Sequence, residues 1–593
     1  MDRTIKDLLR EHYIVAFLML GVSLILFIPS IHYGFFIFDD PAQITDNDYM
    51  QEVGISKLLG YWKFSKTPLI FNVWQVIAKF FGTSSAAPFR LMNIIFHGLN
   101  GFLIVYVLRK ILLHFDKEDN IVLPSLLGGL YFLIHPCQVE SVVWVSNLRG
   151  ILSTTFGLGT IALYFQLSTE ESLFEKNIVK YFYVFTFYLL GLLIKPGIAA
   201  IPGLFILFDY FLYKRRWKEI AYRNSPFLIL AFIYSIIHLI STFKNYYISA
   251  PFFKDRILIA LDSIKFYLVK AVLPFDLSFN YQRSAFKIAE LMKEPLELTI
   301  LIVATLTLIT LLSFFFLKKK YKPVFYGIVI FLILISVNLG FIPFVFQNVS
   351  TVADRYFYLP LIGFSLVFAW FSVIANRQQK KINKVFCYGF IGIFFGLLFG
   401  TSLRQTRHWS QSHKILRQAY NQSTESYVIN VSLANAYFNN GNLEKAEEVL
   451  LEARVFAPTS SEIYSNLLKV YQHMGKLTEI SYVLTELKRK KVPLTYELRL
   501  ELANTYALRT EYKKSFDMLH ELIVDFPNMI DTESHFNILK ENYLNEKVEH
   551  FKSLSLMYKD EGNIKESDKY LKLANRVKRE SMNIYKAINL FKK

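Results

Sequence analysis

PLELTILIVATLTLITLLSFFFLKKKYK, residues 295–322, runs for 23 residues with Glu297 as its only charge and then closes on four lysines. A helix needs about 20 mainly apolar residues to cross the ~30 Å hydrocarbon core of a bilayer, so the stretch reads as a membrane span with a basic end. Ten more apolar stretches of this kind lie between residues 13 and 403, which makes eleven expected spans. Of the 593 residues 53% are hydrophobic, and the 19% that are charged are sparse before about residue 405 and frequent after it. The expected architecture is therefore all-α: a polytopic membrane helical bundle over 1–404, followed by a helical domain over 405–593.

Lysine and arginine placement gives an orientation. With the N-terminus inside, the inner side receives Arg109-Lys110, KRRWK at Lys214–Lys218, KKKYK at Lys318–Lys322 and the segment Arg377–Lys384. The loop carrying Asp39 and Asp40, and everything after residue 404, then falls on the outer side. Much of the net charge of +18 lies in these inner loops, so it has a topological explanation and no nucleic-acid role is assigned. Cys137 and Cys387 suggest neither a disulfide framework nor a metal cluster.

The charged tail repeats. Tyr437 and Tyr471, and likewise Gly441 and Gly475, are 34 residues apart; Pro458, Pro493 and Pro527 follow at intervals of 35 and 34. A weaker copy appears at Tyr558 with Gly562-Asn563. A period of 34 with a tyrosine, a turn glycine and a closing proline is the tetratricopeptide signature, so the tail reads as a short α-solenoid. Such an array offers a groove for an acceptor peptide or protein.

Polar groups gather near the outer ends of the spans: Asp39 and Asp40 in FFIFDDPAQITDND (35–48), and His135, Glu140, Asn147 and Arg149 in LIHPCQVESVVWVSNLRGILS (133–153). Lys195 lies in LLIKPGIAAIP (192–202), and Asp354, Arg355, Tyr356 and Tyr358 lie in TVADRYFYLP (351–360). A charge at membrane depth costs about 2.5 kcal/mol or more, so such groups face a cavity, pair, or do chemistry. An acid that takes a hydroxyl proton, with cations that hold a phosphate leaving group, is what transfer from a phosphate-linked donor requires. Each residue also has a plainer reading. Asp39-Asp40 suits a helix cap, His135 an interfacial position, Glu140 with Arg149 a structural ion pair, and Lys195 snorkelling to the interface. Two carboxylates and a histidine suit a divalent cation; no regular ligand spacing is present, so none is assigned and the option stays open.

Taken together, DDPAQITDND (39–48), LMNIIFHGLNGFLIVY (91–106), HPCQVESVVWVSNLRGILS (135–153), ADRYFYLPLIG (353–363) and the repeats resemble the transmembrane and tetratricopeptide-repeat O-mannosyltransferase family and its bacterial relatives. These are polytopic C-type glycosyltransferases. The resemblance implies an enzyme that moves a hexose, mannose being the family's best-known sugar, from a polyprenyl-phosphate carrier to protein Ser/Thr hydroxyls at the outer membrane face. It implies Asp39 or Asp40 as catalytic base or orienter and Arg149, Lys195 and Arg355 on the donor phosphate, in a single inverting displacement. His135, Glu140, Asp354, Tyr356 and Tyr358 are expected to support them. Two departures stand out: Arg149 is followed by Gly150 and Lys195 by Pro196, where relatives carry an acid. A different class of reading is a non-catalytic membrane scaffold whose repeat groove assembles envelope proteins. Abundant Phe, Ile, Lys and Asn with scarce Cys favour a bacterial inner membrane with the repeats in the periplasm over an endoplasmic reticulum with the repeats in the lumen.

Overall fold

The computed structural model describes residues 5–51, 55–116, 121–168, 178–245, 251–342, 344–422, 426–509, 511–525, 548–560 and 562–576. Among them every regular element is helical. Contacts divide the chain into two units, Met1–Ser423 and Thr424–Lys593. The expected boundary at 404/405 falls inside the helix Lys381–His408, and the short helix Ser412–Gln422 also counts with the first unit.

Among the described residues of the first unit, seven helices are long and apolar enough to cross a membrane: His12–His32, Ala87–Leu112, Val145–Leu167, Trp217–Ile237, Pro295–Leu317, Lys319–Asn338 and Lys381–His408. Val122–Ile134 with Pro136–Val143 makes an eighth if a pair bent by 53° is counted as one span. The remaining three expected stretches are helical but shorter: Ile178–Ile194, Pro196–Phe211 and Leu361–Asn376. The reason is local. Lys195-Pro196 divides one apolar run, because Pro196 supplies no backbone N–H and starts a new 3₁₀ turn. Residues 354–360 likewise form a turn ahead of Leu361.

The helix Ala87–Leu112 packs against Ile5–Phe27, Val122–Ile134 and Leu148–Ser168, which puts it at the centre of the N-terminal half. Farther on, Lys322–Ile335 meets Leu361–Asn376 at two glycines: a Cβ on Gly327 would stand 2.6 Å from the Gly363 carbonyl oxygen. Small residues let membrane helices approach closely where burial of apolar surface offers little drive. Rings join the loops at one end of this unit: His114 contacts Tyr213 at 5.3 Å, Phe115 contacts Tyr326 at 5.1 Å, and Phe211 contacts Tyr326 at 5.7 Å. Trp370 also donates to the Lys320 carbonyl at 2.9 Å. The four basic loops expected to share a side therefore lie at the same end.

Among its described residues the second unit contains three helix–turn–helix pairs, Tyr427–Asn439 with Leu443–Phe456, Ser461–Met474 with Leu477–Lys490, and Tyr496–Leu508 with Tyr512–Asp525. Two more helical segments cover 548–560 and 564–576. The first helices of successive pairs pack on one another. Gly441, Gly475 and Gly562 have φ of +74°, +67° and +73°, the left-handed conformation that a residue without Cβ adopts most easily after a helix. Pro458 ends the first pair and its carbonyl accepts from Tyr464 Oη at 3.0 Å; Pro527 lies outside the described residues.

Candidate active site

A buried arginine shapes the end of the first unit that carries the Asp39-Asp40 loop. Arg90 Nε donates to the Val143 carbonyl at 2.8 Å, Nη1 to the carbonyls of Ser30 (3.0 Å) and Tyr33, and Nη2 to that of Gly34 at 2.7 Å. One turn along the same helix, Asn93 Nδ2 donates to Val142 at 3.0 Å and Trp144 at 2.9 Å. The Ala87–Leu112 helix thus holds the loop before Asp39 and the bent segment around Glu140 in one register.

The two adjacent aspartates are placed differently. Asp40 is fully buried; its Oδ2 accepts from the Phe36 amide at 2.7 Å, and its Oδ1 accepts from the Ser146 amide at 2.9 Å and from the Ser146 hydroxyl. Burial pushes the Asp40 carboxyl above the usual carboxylate range, against the pull of those hydrogen bonds and of Arg90. Asp39 is only partly buried, and its charge bears on Arg149, Arg355 and Tyr356. Of the pair expected to act as base, Asp40 bridges two loops, while the charge of Asp39 bears on Arg149 and Arg355 and that of Asp40 on Arg149.

Three cations from three separate segments complete the arrangement: Arg149 at the start of the helix Leu148–Ser168, Lys195 before Pro196, and Arg355 in the turn Asp354–Tyr356. Arg149 Nε donates to the Ser146 carbonyl at 3.1 Å, its Nη2 donates to Gln43 Oε1, and its guanidinium lies 5.4 Å from the ring of Trp74. Trp74 comes from the amphipathic helix Pro68–Phe81, which therefore forms a wall here. Arg355 pairs with Glu140 at 2.5 Å inside a cage of Phe346 (4.2 Å), Tyr356 (5.1 Å), Trp144 (5.3 Å) and Phe279 (5.7 Å). Lys195, in the turn between Ile194 and Pro196, has no hydrogen bond or ion pair from its ammonium among the described residues, but it feels Arg149, Arg355 and Glu140. Burial, then repulsion from Arg149 and Arg355, pulls its pKa down to about 7. Pro196 follows it, so the adjacent position supplies no carboxylate, and the acid whose charge bears on this ammonium is Glu140. The other departure also has a local reason: a Cβ on Gly150 would lie 2.8 Å from Asn147 Oδ1, so a larger side chain requires Asn147 to move.

The plainer reading of Glu140, an ion pair with Arg149, is not the one the structure has. Glu140 binds Arg355, 215 residues away, and not Arg149; the bent helix turns Glu140 toward the 354–358 turn, while Arg149 is held over Trp74. The other expected supporters act on the frame. His135 is buried, its Nδ1 accepting from the Cys137 amide at 3.3 Å and its Nε2 lying 3.3 Å from the Ala271 carbonyl. Tyr358 Oη lies 2.8 Å from His97 Nδ1 and accepts from Asn100 Nδ2 at 3.1 Å. Asp354 accepts from Tyr281 Oη at 2.7 Å, and burial raises its carboxyl well above the ordinary range, with the Glu140 charge adding to the effect. Tyr356 packs edge-on to Phe344 and Phe346. Arg90, Ser146, Gln43 and Trp74 are functional neighbours that the sequence reading passed over. An arginine at the head of an apolar run was the one visible signal among them. Among the described residues no group of three His, Cys, Asp or Glu side chains is placed to hold a metal ion.

No family model matches the chain. Among curated proteins it is similar to Protein O-mannosyl-transferase TMTC3 of Mus musculus, 22% identical over 505 residues, a match covering 76% of this chain and 52% of that protein. It is also similar to Protein O-mannosyl-transferase TMTC3 of Homo sapiens, 21% identical over 514 residues and covering 78% and 53%. The chain spans about half the length of the curated relatives it matches. These matches bear out, as a distant similarity, the family resemblance read from the motifs.

Proposed function

We propose that the chain is a multi-pass membrane glycosyltransferase that moves a hexose, with mannose the first candidate, from a polyprenyl-phosphate carrier to Ser/Thr hydroxyls of proteins at the outer face of the membrane. The observation that carries the reading is that Asp39 acts on Arg149 and Arg355, and both of these on Lys195, four groups supplied by four segments far apart in sequence. The distant similarity to proteins named as O-mannosyl-transferases supports it.

In this mechanism Asp39 takes the proton of the acceptor hydroxyl as its oxygen attacks the anomeric carbon. The bond to the phosphate oxygen breaks, and the electron pair leaves with the polyprenyl phosphate. Arg149, Lys195 and Arg355 stabilise the charge that develops on the leaving group, and the anomeric configuration inverts. Asp40 is a positioning residue: with Phe36 and Ser146 it fixes the backbone that presents Asp39. The helical pairs of the second unit, read as tetratricopeptide repeats, would recruit the acceptor. The location that best suits this reading is a bacterial inner membrane with the repeats in the periplasm.

The test is purified full-length protein supplied with polyprenyl-phosphate sugars, with mass shifts read on co-purifying envelope proteins. Transfer by the unaltered chain and its loss in Asp39→Asn with normal membrane insertion supports the reading. Intact transfer in Asp39→Asn removes the proposed base. Absence of transfer from every donor, with envelope proteins still bound, favours the scaffold reading.

A further inference from the structure

The far end of the first unit carries a second concentration of charge, which the proposed chemistry does not use. The helix Ile201–Phe211 separates it from the Lys195 turn, and Leu361–Asn376 separates it from Arg355. Two loops meet there, Lys214–Lys218 and Lys318–Lys322. Phe211, just before the first, contacts Phe316 and Phe325 at 6.5 Å and Tyr326 at 5.7 Å, on either side of the second.

Arg215 is taken up by Asp209 at 2.6 Å and Glu219 at 2.9 Å. Lys214, Arg216, Lys218, Lys318, Lys319 and Lys320 are exposed and have no carboxylate at ion-pair distance among the described residues. Apolar groups stand beside these cations: Trp217 is 61% exposed and stacks on Tyr210 at 4.7 Å, and Leu317 is 76% exposed. Cations without counter-ions next to an indole and aliphatic surface match the boundary between anionic headgroups and acyl chains. A free phosphate or a nucleic acid would use the charges and leave Trp217 and Leu317 in water. Topology alone asks only that each loop carry excess positive charge; it does not ask that ring contacts join two of them.

We propose that these two loops form a single binding surface for the headgroups of anionic phospholipids. The inference is independent of the transferase reading. It is tested on the full chain, purified in a neutral detergent and given an equimolar mixture of phosphatidylglycerol and phosphatidylcholine, with the retained lipid read by native mass spectrometry. The unaltered protein retains phosphatidylglycerol preferentially. The triple variants K214Q/R216Q/K218Q and K318Q/K319Q/K320Q each lose on the order of tenfold of that preference. Equal retention of the two lipids by the unaltered protein overturns the proposal, as does a preference unchanged in both triple variants. Erasure of the preference by glycerol phosphate alone also overturns it, because the site would then be one for a free phosphate ester. The measurement on the unaltered chain stands even if a variant fails to fold.

Discussion

The two ends of the first unit are both rich in cations, yet they treat them in opposite ways. At the candidate site the cations are partly or wholly withdrawn from water: Arg355 among four aromatic rings and Glu140, Arg149 against Trp74 and Gln43, and Lys195 half-buried in the turn before Pro196. At the other end Lys214, Arg216, Lys218 and Lys318–Lys320 stand in the open. An enclosed charge keeps its field because little water screens it, and this is the condition for stabilising charge in a transition state. An exposed charge is screened by salt and suits a diffuse anionic surface. The contrast says where chemistry can take place. It also predicts that equivalent substitutions at the two ends differ greatly in effect.

The largest effect is expected at the aspartates. Asp39→Asn should lower transfer by about 10²- to 10⁴-fold, the usual contribution of a positioned base, with the melting temperature unchanged. Asp40→Ala should do the reverse, lowering stability while leaving some transfer, because it leaves the buried Phe36 and Ser146 donors without their acceptor. Thermal unfolding and single-turnover transfer on the same preparations separate the two. Equal loss of both properties in both variants would break the division of labour.

Next come the ion pairs. Glu140→Ala leaves a buried guanidinium without its carboxylate and should cost about 3–5 kcal/mol in unfolding free energy. At the opposite end Arg377, whose side chain is 47% exposed, pairs with Asp116 at 2.7 Å. Arg377→Gln should cost less than about 1 kcal/mol, since solvent screens a half-exposed pair. Similar losses from the two substitutions would mean that the ends are equally wet.

How much of this could be read from the sequence depends on the range of the interactions. Among the described residues seven or eight of the eleven expected spans were legible because a bilayer imposes a length on contiguous apolar residues. The candidate cations were legible through motifs, as was the pairing of turn glycines with the 34-residue period. The separate roles of Asp39 and Asp40 were not, since two identical neighbours differ only in which one the backbone turns toward Ser146. Nor was the partner of Glu140, because Arg149 is the nearer cation along the chain while Arg355 arrives only through the packing of distant helices. The approach of Gly327 and Gly363 was hidden for the same reason. Gly363→Ala would put a Cβ 2.8 Å from the Phe331 amide nitrogen and should cost about 1–3 kcal/mol, whereas Gly392, with open space around it, should accept alanine without loss.

The finest test of the enclosed end is the pH dependence of donor binding. Burial, and behind it repulsion from Arg149 and Arg355, brings the Lys195 ammonium to a pKa of about 7 in the empty site. Lys195 is therefore charged below neutrality and loses its charge as the pH rises. A sugar-phosphate diester stays anionic over the same range, so the change in attraction belongs to the protein. Between pH 6 and pH 8 donor binding should weaken by about tenfold, the drop in the charged fraction of a group that titrates at the midpoint. Lys195→Arg should flatten the profile, because a guanidinium keeps its charge throughout. A flat profile in the unaltered protein would show that Lys195 stays fully solvated, and the enclosure of that cation would have to be abandoned.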